Sequence, residues 1–222
     1  IAFWSKWRLH KIFEGDSEVQ DMLVTLNMDL TGNPTSEMGH AMLHLASFPE
    51  MQETQTGEEF VQRLNDKSYS SNFLAAYDDF MFKYGCRGIK EIDIATPRSY
   101  EDPADFFNRI KLIDVGNNQI LTTKKRKQEA YDTLLEHAAR IGKAKRFVHH
   151  ANVIQQVGGY REHGKYMYVF MVAYLRRYAL ALGEQWAKEG RLNKPEDIFY
   201  LHVDEVTEAQ STPELDLKSL VA

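Results

Sequence analysis

The stretch Tyr84-Gly85-Cys86-Arg87-Gly88-Ile89-Lys90-Glu91-Ile92-Asp93-Ile94-Ala95-Thr96-Pro97-Arg98-Ser99-Tyr100-Glu101-Asp102-Pro103 decides how the rest of the chain is read. Before it, Phe73, Leu74, Tyr77, Phe80, Met81 and Tyr84 recur at helical spacing. Ser70 or Ser71 can start that helix and Gly85 can stop it. At its far end Asp102 reads as an N-cap, Pro103 as a first helical residue and Asp105 as an acidic first-turn residue. Between these helices, two glycines, two prolines and the β-branched Ile92 and Ile94 predict an extended or looped segment. It is dense in charge, and a charged loop held by helices on both sides is a usual seat of function.

Working outward, residues 3–14 read as part of an apolar helical face (Phe3, Trp4, Trp7, Ile12, Phe13), broken at Gly15. Asp16 or Ser17 can cap a second helix with Val19, Met22, Leu23 and Leu26. A turn at Thr31–Thr35 precedes a helix over roughly 36–47 that Pro49 limits. Thr56-Gly57-Glu58-Glu59 is a capping-box pattern opening a short helix with Phe60, Val61 and Leu64. Beyond the loop, helices are expected from Pro103 to near Gly116 and over about 122–141, 143–157 and 160–189, with breaks at Gly158-Gly159 and Gly190. Asp197–Leu201 reads as a short strand and Asp204 as a cap for another helix. The expected fold is therefore mostly α: a multi-helix domain with a long irregular central loop and at most a short strand near the C-terminus.

With 43% hydrophobic and 27% charged residues, the composition is that of an ordinary globular chain with enough material for one sizeable core or two small ones. A net charge of −5 argues against a general nucleic-acid binder, including one working through Lys124–Lys127. No run has transmembrane length, so no membrane partner is expected. A single cysteine, Cys86, fits a reducing cytoplasm. The chain starts without Met inside an amphipathic pattern and reads as a piece of a longer protein.

Two clusters are candidates for chemistry. In an extended loop Glu91 and Asp93 face one way and Ile92 and Ile94 the other, so the isoleucines would anchor the loop while the carboxylates face a cleft or pair with Arg87 and Arg98. A buried salt-bridge network fixing an irregular loop explains the same residues. In Tyr160–Tyr166, Arg161 and Lys165 are four apart near a helix start, where a phosphate would suit both cations and free N–H groups; two solvated charges are the plainer reading. His40 and His44 have an i, i+4 spacing but no acidic third ligand at helical spacing, and His149-His150 point apart, so no metal site is expected. The Met-rich and aromatic segments near 22–51 and 60–84 read as core, or as a wall for an apolar ligand.

The loop motif, together with Thr35-Ser36-Glu37-Met38-Gly39, Tyr160-Arg161-Glu162-x-x-Lys165-Tyr166 and Glu196–Leu201, resembles the phosphoenolpyruvate-utilising enzymes, in particular the rifampicin phosphotransferases and phosphoenolpyruvate-synthase-like proteins. The match covers roughly 35–205. The resemblance implies a helical substrate-binding domain over 1–205 and a linker over 206–222 toward a swivelling phosphohistidine domain. It implies partners in the same chain, that swivelling domain and an ATP-grasp domain, and a small-molecule acceptor. ATP and Mg would belong to the ATP-grasp domain, with no cofactor in this piece, which would not be active alone. ATP would phosphorylate the carrier histidine, giving AMP and phosphate, and the histidine would then pass its phosphoryl group to the acceptor. Arg161 and Lys165 match a basic pair beside the transferred phosphate. Arg87, Glu91 and Asp93 match the central motif, where with Arg98 they would brace the domain. The sequence departs from the pattern at Gly88, Lys90, Ser99-Tyr100 and His163-Gly164, which bears on the identity of the acceptor. A non-catalytic ligand- or partner-binding module of the same descent is the alternative.

Overall fold

The computed structural model describes residues 1–16, 18–116 and 119–221; Ser17, offered above as a cap, lies outside the described residues. The helices are α1 (Ala2–Ile12), α2 (Glu18–Leu26), α3 (Pro34–Ala46), α4 (Pro49–Glu53), α5 (Gly57–Asn65), α6 (Ser71–Tyr84), α7 (Pro103–Lys111), α8 (Gln119–Arg140), α9 (Ala144–Val157), α10 (His163–Lys188), α11 (Val203–Ser211) and α12 (Leu217–Val221). Two 3-10 helices, Gly158–Glu162 and Pro195–Tyr200, complete a fold without strands among the described residues. The chain divides into two compact units: residues 1–80 with 104–166, and residues 81–103 with 167–222.

In the first unit α1 packs on α9, α2 on α8 and α8 on α9. The seam is Leu9, Ile12, Phe13, Val19, Leu23, Leu26, Leu134, Ala138, Phe147, Ala151 and Ile154. The inward face of α1 is Ser5, Leu9 and Ile12, not the face expected from its aromatic residues: Phe3 is 85% exposed and Trp4 and Trp7 are about half exposed. The tryptophans are instead covered by the Arg8 guanidinium, 4.5 and 5.4 Å from their ring centroids. A second nucleus is aromatic. Phe60 stacks on Phe107 at 5.0 Å and meets Tyr69, Phe73 and Tyr77. Each such ring contributes about 1.5–3 kcal/mol by leaving water. Helix starts follow their caps: the Thr56 hydroxyl accepts from Glu59 N at 3.1 Å, and Ser70 Oγ accepts from Phe73 N at 3.2 Å.

The second unit is built on Trp186, Leu192, Ile198, Ala209 and Leu217. The expected strand at Asp197–Leu201 is a 3-10 helix instead. The Asp197 carboxylate accepts from the N–H groups of Asn193 and Lys194 at 3.2 and 3.1 Å, and Pro195 opens the turn. This curls the segment, and no strand among the described residues offers it a ladder. Gly183 lets α10 touch this turn: a Cβ there would stand 2.3 Å from the Pro195 carbonyl oxygen. Residues 206–221 include most of α11 and all of α12, with Ala209 and Leu217 buried.

Candidate functional site

Two of the four sequence motifs meet in the first unit. The turn that links α2 to α3 holds Asp29 at φ +43°, and the Asn33 side chain caps α3 by accepting from Thr35 N and Ser36 N at 2.9 and 3.2 Å. This cap starts α3 at Pro34, two residues before the expected start. The turn rests against Gly158-Gly159. A Cβ on Gly159 would lie 2.2 Å from the Thr31 carbonyl oxygen, and one on Gly158 would lie 2.7 Å from a Leu30 methyl, so the double glycine is what admits the turn. Past it, the Tyr160 ring covers Gly32, and His163 Nε2 donates to the Gly32 carbonyl at 2.7 Å. The expected continuous helix from 160 is therefore split into the 3-10 turn and α10.

The same turn walls a cavity of about 630 Å³. Asp29, Leu30 and Thr31 line it from the turn, Glu37 and His40 from α3, and Lys124 and Lys127 from α8. His40 Nε2 is 3.1 Å from Asp29 Oδ1, while His44 turns away to meet the Phe48 ring at 5.1 Å, so the two histidines are not a pair. Lys127 donates to the Met28 and Asp29 carbonyls, both at 2.9 Å, and burial lowers its pKa against the pull of Asp29. The cationic start expected of α8 thus supplies one structural lysine, Lys127, and one further cation on the cavity wall, Lys124. A neighbouring cavity of about 610 Å³ shares Asp29 and His40 and sets an apolar group, Met42, Leu43, Leu112 and Ile113, beside Ser36, Asp114 and Thr123. Together these walls suit a ligand with one polar and one greasy side.

Arg161 lies in the 3-10 turn, 83% exposed, its guanidinium 3.1 Å from Glu162. Lys165 lies exposed in the first turn of α10. Both come from the segment that docks on the 30–33 turn.

The other two motifs meet in the second unit. The 84–103 loop is not extended. Successive turns, with Arg87 N donating to Tyr84 O, Asp93 N to Lys90 O and Thr96 N to Asp93 O, remove the expected alternation. Glu91 is buried in an ion pair with Arg87, whereas Ile92 is 60% exposed and anchors nothing. The Asp93 carboxylate accepts from Ala95 N at 2.9 Å and Thr96 Oγ1 at 3.2 Å, and its backbone carbonyl accepts from Arg98 Nη2 at 3.1 Å. Arg98 is 1% exposed, with Nε and Nη1 unbonded among the described residues. Burial, the largest influence, raises the Cys86 thiol pKa and so disfavours a thiolate nucleophile.

The residue that ties these motifs together was missed in the sequence. Arg176 of α10 grips the Glu101 carboxylate with Nε and Nη2 (2.9, 3.0 and 2.7 Å), donates to Ile94 O at 2.9 Å and lies over the Phe199 ring at 4.9 Å. Its signal was available: positions 169, 172, 173 and 176 form one helical stripe, and Arg176 is the charged member of it.

Residues 1–162 match the sequence signature of the rifampicin phosphotransferase fourth domain. The chain belongs to that family. The chain is similar to a rifampicin phosphotransferase of Bacillus subtilis (strain 168), 29% identical over 96% of the chain, and to one of Streptomyces sviceus, 26% identical over 97%. An uncharacterized phosphotransferase of Bacillus subtilis, YvkC, is 24% identical over 70% of the chain. The chain spans 26% of the length of the two rifampicin phosphotransferases. Among the described residues of this family member, no helix is long and apolar enough to cross a membrane.

Proposed function

We propose that this chain is the acceptor-binding helical domain of an ATP-dependent, dikinase-type phosphotransferase that works through a phosphohistidine relay and is inactive alone. The observation that carries the reading is the docking of Gly158-Gly159 on the 30–33 turn. The 160–166 motif packs on the turn whose Asp29, Leu30 and Thr31 line the first cavity, and the 35–39 motif lends Glu37 to that cavity and Ser36 and Gly39 to its neighbour. Arg161 and Lys165 serve the transferred phosphoryl group, since cations placed where charge develops stabilise the transition state. Arg87, Glu91, Asp93 and Arg98 brace the 84–103 loop. The acceptor is a small molecule with a polar and an apolar side; the relatives are named for rifampicin.

In this reading ATP and magnesium act on another part of the protein; the described residues contain no group of three or more His, Cys, Asp or Glu placed to hold a metal ion. The nucleotide and its magnesium are assigned to an ATP-grasp domain of the longer protein. Residues 1–205 form the helical domain in this reading, with 206–222 leading to the swivelling domain, in a cytoplasmic enzyme.

In the full-length protein, Arg161→Ala and Lys165→Ala should each lower transfer to the acceptor by about 10²-fold, with the carrier histidine still phosphorylated by ATP. Normal transfer in both variants defeats the assignment. A second reading, a non-catalytic partner-binding module, draws on the exposed face of α10, where Met167, Tyr168, Phe170, Met171, Tyr174 and Tyr178 are all about half exposed or more. It predicts that no histidine of the full-length protein is phosphorylated by ATP.

A further inference from the structure

The α1–α9 contact holds a cavity that the acceptor reading does not use. It is about 360 Å³ and is walled by Trp4, Arg8 and Lys11 on one side and Lys143, Arg146 and His150 on the other. Five of these six side chains are basic, in a chain whose net charge is −5. Lys11 is neutralised by Glu14 at 2.6 Å, and Lys143 donates to the Ile12 carbonyl at 3.3 Å. Among the described residues, Arg8 and Arg146 have no carboxylate partner.

Two further features of the cavity suit an anion. Helix α9 opens on Lys143, Lys145 and Arg146 with no acidic residue in its first turn and no side-chain cap, so cations stand against the positive end of the helix. His150 is 8% exposed and lines the cavity. Its Nδ1 meets Ser5 Oγ at 3.3 Å, and Nε2 has no hydrogen-bond partner among the described residues. Its pKa is lowered by burial first, then by His149, Arg8 and Arg146. Arg8 and Arg146 leave the cavity with a positive field, and guanidinium groups with a helix start are the usual cradle of a tetrahedral oxyanion.

We infer that this cavity binds the phosphate group of a small anionic ligand, with Arg8 and Arg146 as its principal contacts and the Trp4 ring as an apolar wall. The phosphate is either free or carried by an organic molecule that rests on Trp4. The inference is independent of the acceptor reading.

The test uses the 222-residue chain, titrated with inorganic phosphate, pyrophosphate and AMP, and read by tryptophan fluorescence and by the NMR titration of His150. Saturable binding is expected, with the His150 pKa raised when the anion is bound, because the anion offsets Arg8, Arg146 and His149. Arg8→Gln and Arg146→Gln, at exposed positions outside the core, should each weaken binding about tenfold or more, the cost of a charge-assisted hydrogen bond. Lys188→Gln, an exposed control in the other unit, should leave it unchanged. AMP binding tighter than phosphate supports the organic source, and equal affinity supports free phosphate. Absence of saturation with all three anions, wild-type binding by both arginine variants, or an equal loss in the lysine control overturns the inference.

Discussion

Arg176 shows how one side chain can hold an irregular segment. Its side chain is 3% exposed, and its fork satisfies both Glu101 oxygens and one loop carbonyl at once. Arg176→Met would keep the apolar stem but leave the Glu101 carboxylate, 20% exposed, without its partner. Removing one member of a buried pair costs far more than replacing both. We expect Arg176→Met to destabilise the protein by about 3 kcal/mol in denaturant unfolding, and Arg176→Met with Glu101→Gln to recover part of that loss. Equal stability of Arg176→Met and the parent would remove Arg176 as the brace. At this scale the sequence was legible where partners are close in the chain: Arg87 and Glu91 are four apart, and their pairing could be anticipated. It was illegible where partners are distant. Arg176 lies 75 residues from Glu101, and the Asp29–His40 contact crosses a turn whose path depends on the glycines at 158 and 159.

Among elements, caps and breakers were readable because their chemistry is local. Thr56, Ser70 and Pro103 all stand at helix starts, and Gly85 follows the end of α6. The expected strand failed for the same reason in reverse. Asp197 and Pro195 bend the chain locally, which outweighs the β propensity of Ile198, Phe199 and Tyr200. The double glycine was legible as a break but not as a seat for the 30–33 turn. Gly159→Ala should therefore cost about 1–3 kcal/mol, since its Cβ would meet backbone that cannot yield as a side chain could. The same substitution at Gly164, where nothing lies within 4 Å of the added atom, should be near neutral or stabilising within α10. Thermal unfolding of the two variants side by side checks the contrast, and equal melting points would contradict it.

On the scale of the whole molecule, the mostly-α class followed from the spacing of apolar residues, whereas the division into two units did not. Each unit is assembled from two separate stretches, 1–80 with 104–166 and 81–103 with 167–222, and no composition shift marks the borders. The four motifs sort accordingly, two into each unit. In the proposed function the cavities of the first unit receive the acceptor, and the energy-yielding chemistry belongs to other domains of the full-length protein. The most direct test charges the full-length protein with labelled phosphate from ATP, removes the nucleotide, adds the acceptor that most stimulates AMP release, and follows loss of label from the histidine. Leu43→Arg puts a cation into the apolar wall. It should charge at the parent's rate and discharge to the acceptor at least about tenfold more slowly, the cost of placing an unpaired charge where the ligand's apolar side would sit. Discharge at the parent's rate would contradict the claim.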